Sequence, residues 1–498
     1  MKNIKYLFLF LMTVVSGLAI SACSNKDKDY EEPNFLVLNP ELTFDATGGT
    51  QTVNVQANAQ PTATVIAGED WCKVAYKDNA GGTYNFDVTV SAAESEDADS
   101  LATVRIIQGY SRKDVTVKRN KKSSVTPVVP DAGMTHNAKE VASLINIGIN
   151  IGNTMECTDV EGSWNGGTKV NEAYIQGLKA AGFNAVRIPC AWNSHLSNQS
   201  TYEIDAAWMS RVKEVVTWCV QNGLYVVLNA HWDGGWLEDN IFDASKEADI
   251  IAEQKAIWTQ IANNFNSFDE HLLFAACNEP GMNETSGGGK SWKTDASAQE
   301  RVIKYEQTMI DAVRATGGNN ATRVLIMPGL GVSISDIYEY QTALPTDKVA
   351  DRMMVEAHFY EPYQFALMTE DASWGKMYYF WGKDNKVSGS DRNTPDNYAE
   401  AWVDAQMAKM KSKYVDKGIP VIIGEFSADL RNLSENQAEH EKSVAYYGEY
   451  VAKVAKNNGC VPFYWETGSI INRTDGSVKK QAVIDGLMKG AGEGKYPW

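Results

Sequence analysis

Several features that mark familiar protein classes are missing from this 498-residue sequence. Its seven cysteines include no Cys-x-x-Cys pair, so neither a disulfide framework nor a zinc site is indicated. Beyond the first residues, no apolar run is long enough to span a bilayer as a helix. The six histidines form no His-x-His pair, which disfavours a metal hydrolase. We therefore expect no metal ion.

Positive charge and glycine-rich phosphate loops are also scarce. The 46 basic and 63 acidic side chains give a formal charge of −17, and such a surface repels nucleic acid but not a neutral polymer. No GxGxxG or Walker motif occurs, so no nucleotide cofactor is expected. Aromatic residues, in contrast, are plentiful, with 14 Trp and 22 Tyr. Their flat faces suit contacts with sugar rings, and we expect a monomer that binds a polysaccharide.

The first residues have the pattern of an export signal. Lys2 and Lys5 give a positive start to the apolar stretch Tyr6–Ile20. The sequence Ser-Ala-Cys then ends at Cys23, which resembles a bacterial lipoprotein signal. The resemblance implies a signal peptide over residues 1–22 and lipidation of Cys23. Residues 23–34 form a polar tether of mixed charge that cannot bury a core.

Residues 35–119 contain short runs of alternating apolar and polar side chains, separated by turns. Such period-two runs, for example Tyr84–Val90, predict a small all-β, immunoglobulin-like sandwich. The Gly-Gly-Thr turn at Gly48–Thr50 and the segment around Trp71 resemble the BACON domain, a carbohydrate-associated module. The resemblance leaves open whether this unit binds sugar or acts as a spacer. Residues 120–136 predict a linker that Pro127 and Pro130 stiffen.

From residue 137 to residue 498, apolar β-rich runs alternate with amphipathic helical stretches such as Asp205–Gln221. This alternation indicates βαβ units with a parallel sheet, and eight repeats predict a closed (β/α)8 TIM barrel. The eight runs are Ile145–Gly152, Ala185–Pro189, Tyr225–Ala230, Leu272–Asn278, Val324–Pro328, Met353–His358, Val421–Phe426 and Val461–Trp465.

Polar residues stand where several of these runs end, which is where the active site of such a barrel lies. Glu279 directly follows the fourth run and Glu425 lies near the end of the seventh, so the two carboxylates should face each other across the barrel mouth. Glycoside hydrolysis needs such a pair, one carboxyl to protonate the leaving oxygen and one to attack or stabilise the sugar cation. Other polar residues stand near the run ends: Arg187, His231, Asn278, His358, Tyr360 and Trp465.

This set resembles the active-site pattern of glycoside hydrolase family 5, whose glutamates lie at the ends of strands 4 and 7. The residues above match that pattern in order, and the likeness covers the chain from about Asn137 to its end. The resemblance implies that Glu279 is the general acid/base and Glu425 the nucleophile of a double displacement with retention. Arg187 and Tyr360 would keep Glu425 ionised, because a positive charge and hydrogen bonds lower a carboxyl pKa.

The same resemblance implies roles in binding the substrate. Asn278 would contact the 2-hydroxyl of the sugar, and Trp465 would form the apolar floor beneath it. Asn153, near the first strand, would line a subsite on the glycone side, and Trp236 would provide a stacking platform. The chain departs from many β-glucanase relatives by carrying Trp232 after His231, where they have a second histidine. That difference affects packing or a neighbouring subsite.

The sequence thus predicts a retaining endo-β-1,4-glucanase that acts on plant cell-wall β-glucan, either xyloglucan or mixed-linkage glucan. Two alternatives remain open at this point: an endo-β-mannanase of the same family, and a non-catalytic glycan-binding surface lipoprotein. The second would need a missing glutamate, and none is missing. The lipoprotein resemblance implies attachment to the cell outer membrane, and we expect the enzyme to face the exterior, because long polymers cannot cross that membrane.

Overall fold

The computed structural model describes residues 34–44, 48–93, 99–109, 111–120 and 133–498. The predicted signal peptide, Cys23 and most of the predicted linker lie outside these residues. The chain divides into two compact units, Met1–Thr126 and Pro127–Trp498. Among the described helices, none combines the length and the apolar character that a membrane crossing requires.

The N-terminal unit is an all-β sandwich, as predicted. Its strands are β1 (Leu36–Val37), β2 (Glu41–Phe44), β3 (Gly49–Gln56), β4 (Thr62–Ala67), β5 (Cys72–Ala80), β6 (Thr83–Val90), β7 (Ser100–Gln108) and β8 (Ser111–Arg119). They form two four-stranded sheets, β1-β3-β6-β5 and β2-β8-β7-β4, in which only the β2–β8 pairing is parallel. Alternate residues such as Val53, Val55, Phe86 and Val88 point into the shared core.

The second unit is a closed barrel of eight parallel strands, which confirms the predicted fold class. Its strands are β9 (Gly148–Asn150), β10 (Ala185–Ile188), β13 (Tyr225–Asn229), β14 (Leu272–Ala275), β15 (Leu325–Ser333), β16 (Met353–Phe359), β17 (Val421–Phe426) and β18 (Cys460–Tyr464). Pairing follows this order around the barrel, and β18 closes against β9. A hairpin of β11 (Leu196–Asn198) and β12 (Glu203–Ile204) follows β10.

Helices surround the barrel and close the end at which its strands begin. They are α1 (Ala138–Leu144), α2 (Glu172–Ala180), α3 (Ala206–Gln221), α4 (Glu247–Asn264), α5 (Met282–Ser286), α6 (Ala296–Ala315), α7 (Ile334–Tyr340), α8 (Tyr363–Ala366), α9 (Glu400–Lys413), α10 (Gln437–Asn457) and α11 (Gln481–Glu493). Helix α1 begins with a capping box between Asn137 and Glu140. Its buried Val141 packs in one cluster with strand residues such as Val227 and Phe463.

Inside the barrel, the side chains of β16 change from apolar to polar along the strand. In β16, period-two alternation places Met354, Glu356 and His358 on one face. Met354 belongs to the lower apolar cluster, whereas Glu356 is buried higher up together with Arg187 of β10. The alternation therefore builds an apolar base and a polar upper layer, and the polar layer lies toward the carboxyl ends of the strands.

A buried arginine joins the end of α4 to the start of two strands. Arg323 has no exposed surface, and its guanidinium donates only to other buried groups. The acceptors are the carbonyl oxygens of Phe265, Phe268, Asp269 and Leu272 and the side-chain oxygen of Asn320, at 2.7 to 3.3 Å. One side chain thus provides hydrogen bonds to four carbonyl groups of a buried turn.

We expect Arg323→Met to lower the free energy of unfolding by about 3 to 5 kcal/mol, because several buried carbonyls would lose their donor. Urea unfolding followed by tryptophan fluorescence measures this, since only Trp71 of the 14 tryptophans lies in the N-terminal unit. Lys255→Met, on the exposed face of α4, is the control and should change little. A loss of less than about 1 kcal/mol in the Arg323 variant would contradict this view of the turn.

Candidate active site

A single buried arginine joins groups from four sides of the barrel. Arg187 has no exposed surface, and its Nη1 donates to Oε1 of Glu425 at 2.8 Å and to Oδ1 of Asn150 at 3.0 Å. Its Nη2 donates to Oδ1 of Asn278 at 2.7 Å, and its Nε lies 2.9 Å from a carboxylate oxygen of Glu356. Burial alone lowers the pKa of Arg187, but Glu356 and Glu425 raise it by more, so the guanidinium remains charged.

His358, from β16, contacts both predicted catalytic glutamates. Its Nδ1 lies 2.8 Å from Oε1 of Glu279 and 3.7 Å from Oε2 of Glu425, and its Nε2 lies 3.1 Å from Oε1 of Glu356. Burial opposes the charged ring, but the three carboxylates outweigh it and raise the pKa of His358 to about 10. The ring is therefore an imidazolium that donates from both nitrogens at neutral pH.

The two oxygens of Glu425 are each held by a different donor. Arg187 contacts Oε1, and the hydroxyl of Tyr360 donates to Oε2 at 2.8 Å. Burial raises the pKa of Tyr360 well above its usual range, so this hydroxyl keeps its proton. A side chain at Gly424 would collide with the Glu356 carboxylate, which explains why glycine precedes Glu425.

The distance between the carboxylates of Glu279 and Glu425 fits the shorter of the two separations known in glycosidases. One carboxylate oxygen of Glu279, one of Glu425 and a ring nitrogen of His358 all lie within 4.8 Å of one another. The Glu279 side chain is 25% exposed and the Glu425 side chain 7%, so Glu279 is the more accessible to a substrate oxygen. Carboxyl groups about 5 Å apart are typical of retaining enzymes, whereas inverting enzymes leave room for a water molecule between them.

These three residues also form the one group of metal-type ligands found in the described part of the chain. The carboxylates around His358 raise its pKa to about 10, which favours a proton on each ring nitrogen over a cation at neutral pH. An imidazolium has no lone pair for a metal ion. The acidic atoms around it are already paired with positive charge from His358 and Arg187.

An open pocket of about 230 Å³ lies above this network. Its lining comes from the segments after the first, third, fourth and eighth barrel strands: Asn153, Glu156, Trp164, His231, Trp232, Glu238, Asn278, Glu279, Met282, Asn283 and Trp465. The rings of His231 and Trp465 are nearly parallel, with centroids 6.0 Å apart. Burial, with Arg187 nearby, keeps the pKa of His231 well below its usual range, so this ring is neutral.

The structure places one predicted binding residue elsewhere. Trp236, expected to be a stacking platform, is half-buried and packs against the hydrophobic core rather than lining the pocket. The segment after β13 coils into short turns, which points Trp232 toward the pocket instead. Trp164, which the sequence analysis did not single out, is 45% exposed and lines the pocket with Trp465.

Glu238 is a further residue that the sequence reading missed. Its buried Oε1 accepts from the backbone N–H groups of Asn278 and Glu279, at 2.7 and 2.8 Å. Burial, and then the nearby Glu279, raise the pKa of Glu238 to about 8. Glu356 was missed as well, although its position two residues before His358 placed it on the same face of the strand. No comparable signal marked Glu238, because it lies in an irregular loop.

The raised pKa of Glu238 makes stability depend on pH. The folded protein holds a proton at Glu238 that the unfolded chain releases above its ordinary pKa of 4.5, so stability falls between about 4.5 and about 8. Glu238→Gln keeps an oxygen acceptor and removes this ionisation. We expect the thermal midpoint of this variant to fall less than that of the wild type between pH 5 and pH 8.

Glu238→Ala is the companion variant, because it also removes the acceptor for the two amides. It should lose stability at both pH values and lower kcat by roughly tenfold, the loss expected when one or two hydrogen bonds that position Glu279 are removed. Identical pH dependence of the midpoint in the wild type and in Glu238→Gln would show that Glu238 does not carry the proton.

Comparisons with known proteins agree with this geometry. The family described as cellulase (glycosyl hydrolase family 5) matches residues 149–469. The chain is 31% identical to the xyloglucan-specific endo-β-1,4-glucanase of Bacteroides ovatus, over 97% of this chain and 96% of that protein. It is 32% identical to endoglucanase 1 of Ruminococcus albus, over 75% of this chain and 88% of that protein.

Two solved structures are also similar. The Bacteroides ovatus xyloglucanase in complex with a XXXG heptasaccharide has a TM-score of 0.66 at 30% identity, covering 92% of this chain and 100% of that one. A xyloglucan-specific β-1,4-glucanase from a ruminal metagenomic library, in complex with XXLG, has a TM-score of 0.66 at 37% identity and covers 73% of this chain and 98% of that one. The chain belongs to glycosyl hydrolase family 5 and is a glycoside hydrolase.

Proposed function

We propose that the chain is a retaining endo-β-1,4-glucanase whose substrate is xyloglucan. The observation that carries the reaction is the pair of carboxylate oxygens of Glu279 and Glu425 within 4.8 Å, which suits double displacement. The substrate is supported by relatives whose names specify xyloglucan, one of which matches nearly the whole chain. The open pocket, with Trp164 and Trp465 in its lining, suits a polymer that passes through the site.

In the first step, Glu425 attacks the anomeric carbon while the bond to the leaving oxygen breaks. Glu279 gives its proton to that oxygen, which leaves as a hydroxyl of the shortened chain. Arg187 and Tyr360 hold both oxygens of Glu425, so the nucleophile needs little reorientation to attack. In the second step, Glu279 takes a proton from water, the water oxygen attacks the same carbon, and the bond to Glu425 breaks.

The surrounding groups fit this proton cycle. Two buried cations, Arg187 and His358, face the three carboxyl groups of Glu279, Glu356 and Glu425. A proton on Glu279, which the first step requires, brings these charges into balance. Asn278 accepts from Arg187 through its oxygen, so its amide nitrogen is the end that can donate to the sugar 2-hydroxyl.

We expect Glu279→Ala and Glu425→Ala each to lower kcat by about a thousandfold or more, because each removes a group that the reaction needs. Glu300→Ala, on the exposed face of α6, is the matched control and should keep wild-type turnover. Activity is measured on xyloglucan, and circular dichroism checks the fold. Turnover above about one per cent in either folded variant would contradict the assignment.

Azide with an activated aryl cellobioside separates the two roles. Azide in Glu425→Ala takes the place of the nucleophile and should give the α-glycosyl azide. In Glu279→Ala it attacks the glycosyl-enzyme and should give the β-glycosyl azide.

Proton magnetic resonance of the wild-type reaction on xyloglucan should show the β-anomer first. Rates on mixed-linkage glucan, carboxymethyl cellulose and mannan rank the alternative substrates, and a preference for mannan would overturn the proposed one.

We also propose that the enzyme is a lipoprotein of the outer membrane that faces the exterior. The proposal rests on the signal-like sequence that ends at Cys23 and on a polymeric substrate that is too large to cross the membrane. The N-terminal sandwich, which resembles a BACON domain, would then act as a spacer. Tyr76 is the one large aromatic side chain exposed among the described residues of that unit, which does not favour a stacking site there.

The location is tested in cells grown with labelled palmitate. We expect the wild type to carry the label and to be digested by proteinase in intact cells, since acyl chains at Cys23 would anchor it. Cys23→Ser is the matched control and should carry no label. A labelled protein that resists proteinase until the outer membrane is broken would place the enzyme on the inner side.

A further inference from the structure

The connection between β16 and α9, from Glu361 to Ala399, is the part of the barrel with the most exposed aromatic surface. Trp374 is 64% exposed and Tyr363 is 49% exposed, and their ring centroids lie 6.0 Å apart. Leu367, 38% exposed, follows Tyr363 by one helical turn. A connection far longer than about 12 to 15 residues usually has a function in a compact domain. We call residues 361–399 the strand-six lobe.

The strand-six lobe is held in place from within. Two N–H groups of Arg392 donate to the two carboxylate oxygens of Asp371, at 2.5 and 2.8 Å, and the backbone N–H of Met377 also donates to Asp371. Trp381 has no exposed surface and packs against Tyr447 of α10 with ring centroids 5.1 Å apart. The lobe is therefore an ordered support for the two exposed rings.

A second anchor holds the short helix α8, which carries Tyr363. The buried Arg431, which follows β17, donates to the carbonyl oxygens of Phe365 and Met368 at 2.8 and 2.6 Å. These two residues bracket the end of α8, the helix that begins with Tyr363. Tyr363 is consequently fixed relative to the barrel, although about half of the residue is exposed to solvent. Large aromatic side chains kept rigid and exposed in this way often mark an interaction site.

The position of the lobe relates it to the active site. Tyr360 donates to Glu425, and Tyr363 follows Tyr360 by three residues. The Cα atoms of these two tyrosines therefore lie within about 11 Å of each other. The described pocket is lined by segments after the first, third, fourth and eighth strands, whereas the lobe follows the sixth. It therefore lies on the same face of the barrel as the pocket but on another side of the two glutamates.

We propose that Tyr363 and Trp374 form a stacking site for sugar rings on the leaving-group side of the cleaved bond. The ligand class is the neutral pyranose backbone of the polymer, whose apolar faces match flat rings and need no countercharge. The site is continuous with the reaction centre through the chain from Tyr360 to Tyr363. This inference rests on the proposed endo-glucanase function, because only a polymer extends that far from the glutamates.

The test compares two substrates in Trp374→Ala, Tyr363→Ala and the double variant. Xyloglucan polymer reaches the lobe, whereas an aryl β-cellobioside carries no sugar on the leaving-group side. The ratio of kcat/KM on polymer to kcat/KM on the aryl substrate should fall by roughly fivefold to tenfold for each stacking contact removed. Tyr338→Ala, an exposed tyrosine on α7, is the matched control and should leave the ratio at the wild-type value.

Thermal midpoints confirm that the variants are folded. An unchanged ratio in the folded double variant overturns the inference, as does an equal drop in Tyr338→Ala. A shift in oligomeric state or in vesicle binding, with the ratio unchanged, would assign the patch to another copy or to a membrane and likewise overturn it. Wild-type turnover of the two substrates tests the proposed function on its own, so the two failures are distinguishable.

Discussion

The Arg187 guanidinium, enclosed without solvent inside the barrel, determines where the surrounding polar groups can lie. It contacts Asn150, Asn278, Glu356 and Glu425, which come from or directly follow the first, fourth, sixth and seventh strands. A planar group with donors in fixed directions imposes a matching position on each acceptor. The same contacts that satisfy a buried cation therefore align the nucleophile with the asparagine beside the acid.

The pairing of opposite charges links Arg187 to the other buried ionisable groups of the site. The Glu356 carboxylate lies between Arg187 and His358, and together with Glu425 and Glu279 it raises the pKa of His358 against the effect of burial. Removing one member would leave a buried charge without its partner, which is far more costly than losing an exposed salt bridge. Glu356 thus belongs to the working site even though it contacts neither the pocket nor, in our mechanism, the substrate.

The loops around this fixed centre have different tasks. Those after the third and fourth strands position Glu279 through Glu238, and those after the first and eighth supply Trp164 and Trp465 to the pocket. The strand-six lobe is independently anchored by Arg392 and Arg431 and presents its rings to solvent. The barrel thus fixes the chemistry, while the loops that leave it set the length and kind of polymer that can be held.

Much of this protein was predictable from its sequence, because the decisive signals are local. Apolar runs that alternate with helical stretches define the eight strands and the barrel, and the polar residues at their ends identify Glu279, Glu425, Arg187 and His358 as a site. Glu356 was within reach of the same reasoning, since strand periodicity places it beside His358. Its contact with Arg187 forms only in the closed barrel, which brings β10 and β16 together.

Other features were decided by tertiary structure alone. Trp236 and Trp232 lie in one short loop, and which of them reaches the pocket depends on turns that have no periodicity to read. Glu238 contacts two backbone amides about 40 residues away in the chain, and only these contacts give it a role. The position of the exposed Trp374 depends likewise on the contacts that anchor the strand-six lobe. Periodicity reports which face of an element is buried, whereas the direction of a loop side chain is set by contacts between segments distant in sequence.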